Sequence, residues 1–219
     1  SFVKIGIGVM TKPDEKKYSF VTPYKLINPG TWKVKTGKSS VTYIHTLNDN
    51  GYGYSYRKTV ELVKGKPELI LAHSLRNTGS RLIETDVYNH NFFVIDQQPT
   101  GPDFSVKFPY PVAGEGRGHG VVGTIDGNTI RYTKVLQRGE NLFYPSLSGY
   151  GTGPEGYDIS IENSKTKAGV RITGDRPLSK LVYWSAPTTV CPEPYIHVKA
   201  ARGETFTWKI RYRFYESGQ

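Results

Sequence analysis

Hydrophobic and polar residues alternate with period two along much of this chain. The clearest run is Thr205-Phe206-Thr207-Trp208-Lys209-Ile210-Arg211-Tyr212-Arg213-Phe214, apolar or aromatic at even positions and polar at odd ones. Successive strand side chains point to opposite faces, so such a run packs one face and wets the other. A half-buried antiparallel strand reads this way. Shorter copies occupy 158–162, 169–173 and 180–185. Turn residues punctuate the runs: Asn28-Pro29-Gly30, Asn50-Gly51, Asn77-Thr78-Gly79, Asp126-Gly127-Asn128 and Arg202-Gly203-Glu204. No ten-residue stretch combines helical periodicity with a cap, so any helix should be a single short turn. The pattern predicts an all-β protein, a large antiparallel β-sandwich with few or no helices.

Composition agrees. There are 16 Tyr against 9 Phe, with 24 Gly, 14 Pro and one Met. Tyrosine suits strands because its ring packs on a pleated surface while its hydroxyl finds a partner or water. At 219 residues the chain is long enough for one large β domain, and no linker or repeat divides it, so residues 1–219 are expected to form one domain. The sequence opens on Ser1, which leaves room for a segment removed upstream.

The formal charge of +10 raises the question of an anionic partner. Its distribution answers against nucleic acid. Basic residues come as pairs (Lys16-Lys17, Arg57-Lys58) or alternate along a strand (Lys209, Arg211, Arg213), as on a solvated basic face. No recognition helix, RNA-binding sheet signature or zinc finger is present. Cys191 is the one cysteine, which excludes an internal disulfide and any multi-cysteine metal site. No apolar stretch is long enough to cross a membrane and no signal-peptide pattern occurs, so no membrane partner is expected. Compartment and oligomeric state stay open.

Two segments break the strand pattern. Residues 97–120 hold four prolines and alternate Gly114, Gly116, Gly118 and Gly120 with Glu115, Arg117 and His119; residues 145–157 are Gly-rich and carry Tyr150 and Tyr157. Long irregular loops on a rigid β scaffold are common binding surfaces and also ordinary surface. The glycine alternation is not a phosphate loop, because it lacks the Gly-Lys-Ser/Thr ending and a following helix.

Candidate chemistry concentrates in two stretches. In Ile83-Glu84-Thr85-Asp86-Val87-Tyr88-Asn89-His90-Asn91-Phe92-Phe93, a strand leads into an imidazole flanked by two amides and two aromatics. Amides orient a ring or bind hydroxyls, and aromatic faces accept the C–H face of a sugar. Taken alone, one histidine among aromatics is more often structural. In Val190-Cys191-Pro192-Glu193-Pro194-Tyr195, a carboxylate sits between two prolines whose φ is fixed, on a backbone that holds its side chain in a set direction. Taken alone, a loop or edge glutamate facing water is the commoner case.

The order of these features resembles the C-terminal two-thirds of the galactose mutarotase-like superfamily, over roughly residues 40–215. It runs from the Asn-Thr-Gly turn through Asn89-His90-Asn91-Phe92-Phe93, Gly156-Tyr157-Asp158 and Glu193 in a Pro-rich loop to Gly203-Glu204 and a final aromatic strand. In aldose 1-epimerases the second motif reads Asn-His-Ser/Thr-Tyr-Phe/Trp, of which residues 89–93 look like a divergent form. The resemblance implies a sugar cleft across one sheet of a β-sandwich. It makes His90 the general acid, Glu193 the general base and Asp158 a sugar-hydroxyl ligand, with Asn89, Phe92 and Tyr157 as further substrate contacts. It also implies an Arg and a second His upstream that this sequence lacks, so the chain is expected to have diverged or to lack an N-terminal portion of the fold. His45 and His73 are the available substitutes, but His73 shares strand parity with Leu69, Leu71 and Leu75 and reads better as core.

The activity implied is interconversion of sugar anomers by acid/base ring opening, an isomerase reaction that needs no cofactor or metal. A non-catalytic carbohydrate-binding domain, or one β-sandwich piece of a larger polysaccharide-processing enzyme, are the alternatives. His90, Asp96 and His119 could approach one another, but no metal-ligand spacing supports a metal site.

Overall fold

The computed structural model describes residues 1–14, 16–19 and 21–216. Among these the strands are β1 (Phe2–Lys4), β2 (Gly8–Met10), β3 (Leu26–Asn28), β4 (Thr31–Thr36), β5 (Ser40–Asp49), β6 (Tyr52–Leu62), β7 (Glu68–Asn77), β8 (Ile83–Tyr88) and β9 (Phe104–Lys107). They continue with β10 (Gly123–Asp126), β11 (Thr129–Tyr132), β12 (Leu142–Leu147), β13 (Asp158–Asn163), β14 (Ala168–Gly174), β15 (Lys180–Ala186), β16 (Thr189–Ala200) and β17 (Thr205–Glu216). The only helical element among the described residues is the 3-10 turn Pro154–Gly156. The protein is nearly all β and its sheets are antiparallel, as the alternation predicts.

The chain divides into two compact units. The first comprises Ser1–Glu61, Leu71–Thr85 and Val198–Trp208; the second comprises Leu62–Ile70, Asp86–His197 and the chain from Lys209 on.

In the first unit, β1, β2 and β3 form a small sheet, and β7, β6, β5 and β4 lie side by side in that order. Both upstream histidines are structural here. His45 is fully buried, its Nε2 2.8 Å from the Pro29 carbonyl and its Nδ1 2.9 Å from the Tyr54 hydroxyl. Gly30 must be glycine at this contact: its φ is +59°, and a Cβ would stand 2.6 Å from the His45 ring. His73 is buried flat against Trp208, ring centres 4.5 Å apart, with its Nδ1 2.8 Å from the Tyr56 hydroxyl. Neither ring is available to a ligand.

The Asn77-Thr78-Gly79 turn is pinned by a buried side chain. Asn77 Nδ2 donates to the carbonyls of Arg81 and Ala200, and its Oδ1 accepts from the Gly79 N–H. Asn77→Ala takes this partner from the Arg81 and Ala200 carbonyls, while the Gly79 N–H keeps the Gly53 carbonyl at 3.1 Å; buried unpaired groups cost about 1–3 kcal/mol each when nothing replaces the bond. We expect a loss of about 2–4 kcal/mol in urea unfolding; a loss below about 1 kcal/mol would show that water takes over.

In the second unit, β10, β11, β9, β13, β14 and β17 form one layer in that order, and β12, β15, β16 and β8 form the other. Alternate residues of the first layer, Val106, Ile130, Ile159, Ile161, Ile172 and Tyr212, point inward and are buried. The second layer answers with Leu142, Tyr144, Leu181 and Tyr183, and the hydroxyls of Tyr132 and Tyr183 bond to each other between the layers. The outer face of the first layer is polar, with Lys107, Asp158, Ser160, Arg171 and Arg213 on it.

Candidate functional site

Glu193 lies within strand β16, paired with Val182 of β15, and not in a Pro-rich loop as the sequence suggested. Prolines in an interior strand need explaining, because each removes a ladder donor. The backbone bonds of Val190 go to Phe93, in both directions. Backbone polar groups alternate sides along a strand, so Pro192 and Pro194 face the same way as Val190 and present no N–H there. The strand opposite cannot continue against them. β8 accordingly stops at Tyr88, residues 89–92 leave the ladder, and pairing resumes at Phe93. A side chain replaces the missing ladder bond: Asn91 Nδ2 donates to the Pro192 carbonyl at 3.3 Å. The two prolines thus create the break in which His90 sits.

Alternation continues through the break. Asn89 and Asn91 turn inward to one hydroxyl: Asn89 Nδ2 donates to Tyr212 Oη at 3.3 Å, and that hydroxyl donates to Asn91 Oδ1 at 2.8 Å. His90 and Phe92 turn outward over β16. His90 Nε2 lies 3.4 Å from Glu193 Oε1, and its Nδ1 lies 2.9 Å from Cys191 Sγ. Glu193 and Cys191 are two residues apart and so share a face of the strand, with Sγ 3.9 Å from Oε1. The Glu193 side chain is 9% exposed and that of His90 40%, so the carboxylate lies beneath the imidazole and the imidazole meets solvent.

An aromatic wall accompanies the pair. Phe92 stacks on His90 with ring centres 4.2 Å apart and is itself 60% exposed, and Trp184 stands edge-on to Phe92 at 6.0 Å. Burial raises the Glu193 carboxyl above its ordinary value, with His90 and Lys180 pulling it partly back. Burial likewise pushes the Cys191 thiol up, and the neighbouring Glu193 adds to that. Glu193 therefore holds a proton to higher pH than an exposed carboxylate would.

Of the residues singled out in the sequence, His90, Glu193 and Phe92 meet here, and three have other partners or places. Asp158 lies on the outer face of the first layer, where both its oxygens engage Arg171. Tyr212 reaches Asn89 and Asn91 from the opposite face of that same layer, so the Asp158 carboxylate is turned away from His90. Tyr157 shares the inward parity of Ile159 and Ile161 and is sealed in the core. Asn89 donates its amide to the Tyr212 hydroxyl. His119 binds the Tyr144 hydroxyl at 2.8 Å. Sequence reasoning gave no site role to Cys191, Trp184 or Tyr212, and named Asn91 only as an amide flanking His90. Cys191, two residues from Glu193, had a readable signal; Tyr212, over a hundred residues from Asn89, had none.

No family model matches the chain, and no curated protein matches it. Solved structures do. A galactose mutarotase related enzyme from Lactobacillus acidophilus superposes with a TM-score of 0.61 at 15% identity, over 91% of this chain and 78% of that one. The chain has the galactose mutarotase-like fold. An aldose epimerase homologue from C. elegans gives a TM-score of 0.59 at 15% identity over 96% of this chain and 81% of its own. A galactose mutarotase-like protein from Lactobacillus casei gives 0.58 at 13% identity, over 96% and 83%. The mutarotase-like fold thus accounts for nearly the whole chain. No helix among the described residues is long and apolar enough to cross a membrane.

Proposed function

We propose that this protein interconverts the anomers of a sugar by acid/base ring opening, with Glu193 as the base and His90 as the acid. The contact between an imidazole and a largely buried carboxylate, 3.4 Å apart beside an exposed aromatic ring, carries this reading. Glu193 takes the proton of the anomeric hydroxyl while His90 protonates the ring oxygen; the C1–O5 bond breaks to give the open-chain aldehyde. Rotation about C1–C2 and the reverse transfers give the other anomer. Imidazole suits the acid role because its ordinary pKa of about 6.5 lets it donate and accept near neutrality. Phe92 and Trp184 offer apolar faces to the C–H side of a pyranose.

This mechanism requires the pair to open. At 3.4 Å the two groups touch, and an acid and a base serving C1–O5 must each reach a different atom of the sugar. The outward, solvent-facing imidazole is the group able to move, and the Asn89–Tyr212–Asn91 anchor is what holds its backbone while it does. Tyr212 is accordingly a positioning residue. Tyr212→Phe is expected to lower kcat about tenfold with KM little changed, beside a stability loss of about 1 kcal/mol for the lost bonds. An unchanged kcat would make the anchor purely structural.

Sugar binding without catalysis is the second reading, favoured by the placement of Asp158 on the far face of the layer. A panel of aldoses, followed by NMR exchange between anomer resonances and by calorimetry, separates the two. Accelerated exchange for at least one sugar supports catalysis. Saturable binding with no exchange supports the alternative.

A further inference from the structure

We propose that His90, Cys191 and Glu193 form a binding site for one zinc-class divalent cation. This goes beyond the acid/base reading and does not rest on it. One imidazole nitrogen, the thiol sulfur and a carboxylate oxygen all lie within 4.8 Å of one another. Tetrahedral zinc, with bonds of about 2.0–2.3 Å, needs donors roughly 3.3–3.7 Å apart. The 3.4 Å between Nε2 and Oε1 falls in that range, the 3.9 Å between Sγ and Oε1 just above it and the 2.9 Å between Nδ1 and Sγ below it, so a turn of the His90 ring is needed to bring one nitrogen into the set.

The donors also select the ion. Thiolate, imidazole and carboxylate together suit zinc and its neighbours, whereas magnesium and calcium take oxygen donors. Two of the three are held on one face of β16 by strand geometry, and buried Val182 of β15 stands beside Glu193 on that face. The exposed side of His90 leaves a fourth position open to water, the arrangement of three protein ligands plus one exchangeable ligand. Lys180, which acts electrostatically on Glu193, opposes a cation here, and its ammonium lies 5.6 Å from the Tyr195 ring centre. Coordination takes the thiolate, so the S–H proton leaves to solvent as the ion arrives. A bound ion and proton transfer by the same side chains exclude each other, which would make the ion an inhibitor of any acid/base reaction at this pair.

The test is titration of the metal-free full chain with Co2+, then displacement by Zn2+ in competition with a chromophoric chelator. We expect one ion per chain, a sulfur-to-cobalt charge-transfer band in the near ultraviolet, and tetrahedral d–d absorption. In Cys191→Ala and in Cys191→Ser the band should vanish and affinity should fall at least about 100-fold. Circular dichroism checks that each variant is folded, and the wild-type spectrum stands even if neither is. Absence of binding to wild type, binding without the sulfur band, or undiminished affinity in a folded variant would overturn the site. The spectra do not depend on sugar turnover, so failure of the anomer-exchange assay and failure of this one are separate results.

Discussion

Glu193→Gln is expected to cut kcat/KM for anomer exchange by about 10²–10⁴-fold, the usual contribution of a positioned proton-transfer group. The amide keeps the shape of the carboxyl and cannot take a proton. The same substitution should leave stability at neutral pH equal or higher. Burial raises the Glu193 carboxyl above its ordinary 4.5. Between the ordinary and raised values the folded chain binds more protons than the unfolded one, so stability falls as pH rises through that window. Above the window the ionised, largely buried carboxylate carries its full cost, and Gln is spared it. Unfolding curves should therefore favour the variant increasingly as pH rises above the ordinary carboxylate value, and level off once the carboxyl is ionised. The base must be unprotonated to work, so the acid limb of the wild-type kcat/KM profile should lie above the ordinary carboxylate range. Undiminished exchange by the variant would remove Glu193 from the mechanism.

The second large effect lies in the first unit. Burial, with Lys58 nearby, pushes the His73 imidazole from 6.5 down to about 3. An imidazole depressed in the fold binds its proton more readily in the unfolded chain, so stability is complete above 6.5 and drains away as pH falls. The loss from this one group should be roughly 3 kcal/mol by pH 4. Its Nε2 has no hydrogen-bond partner, which is tolerable for a neutral ring accepting nothing and costly for a charged one. His73→Phe keeps the stacking on Trp208 and removes the titration. We expect the variant to lose about 1 kcal/mol at pH 7, where the Tyr56 hydroxyl is left unpartnered, and to show a flatter stability profile down to pH 4. Parallel profiles for the two proteins would assign the acid sensitivity elsewhere.

Strand parity made much of the fold legible before any coordinates. In β17, Trp208, Ile210 and Tyr212 are buried as alternation requires, and only Phe214, near the strand's end, turns to solvent. The same rule, applied further, would have removed Tyr157 from the candidate contacts: it shares parity with Ile159 and Ile161 and is core with them. It also separates Tyr157 from Asp158, which must face the other way. What parity cannot supply is the neighbour in space. The Pro192 and Pro194 pair reads locally as a stiff loop, and becomes a break in the adjoining strand only when β8 is known to lie beside it. A single cysteine in the sequence shows only what it excludes, and the contact of Cys191 with His90 depends on that break. Tyr212 looked like an ordinary aromatic of the last strand, and its bonds to Asn89 and Asn91 join segments that no local pattern links.

A crystal structure of the complex with a pyranose decides the roles of Glu193 and His90 through their distances to the sugar. The anomeric oxygen is expected within hydrogen-bond reach of the carboxylate, the ring oxygen within reach of the imidazole, and the resting contact between those side chains broken. A sugar seated elsewhere, with His90 still touching Glu193, would contradict those roles.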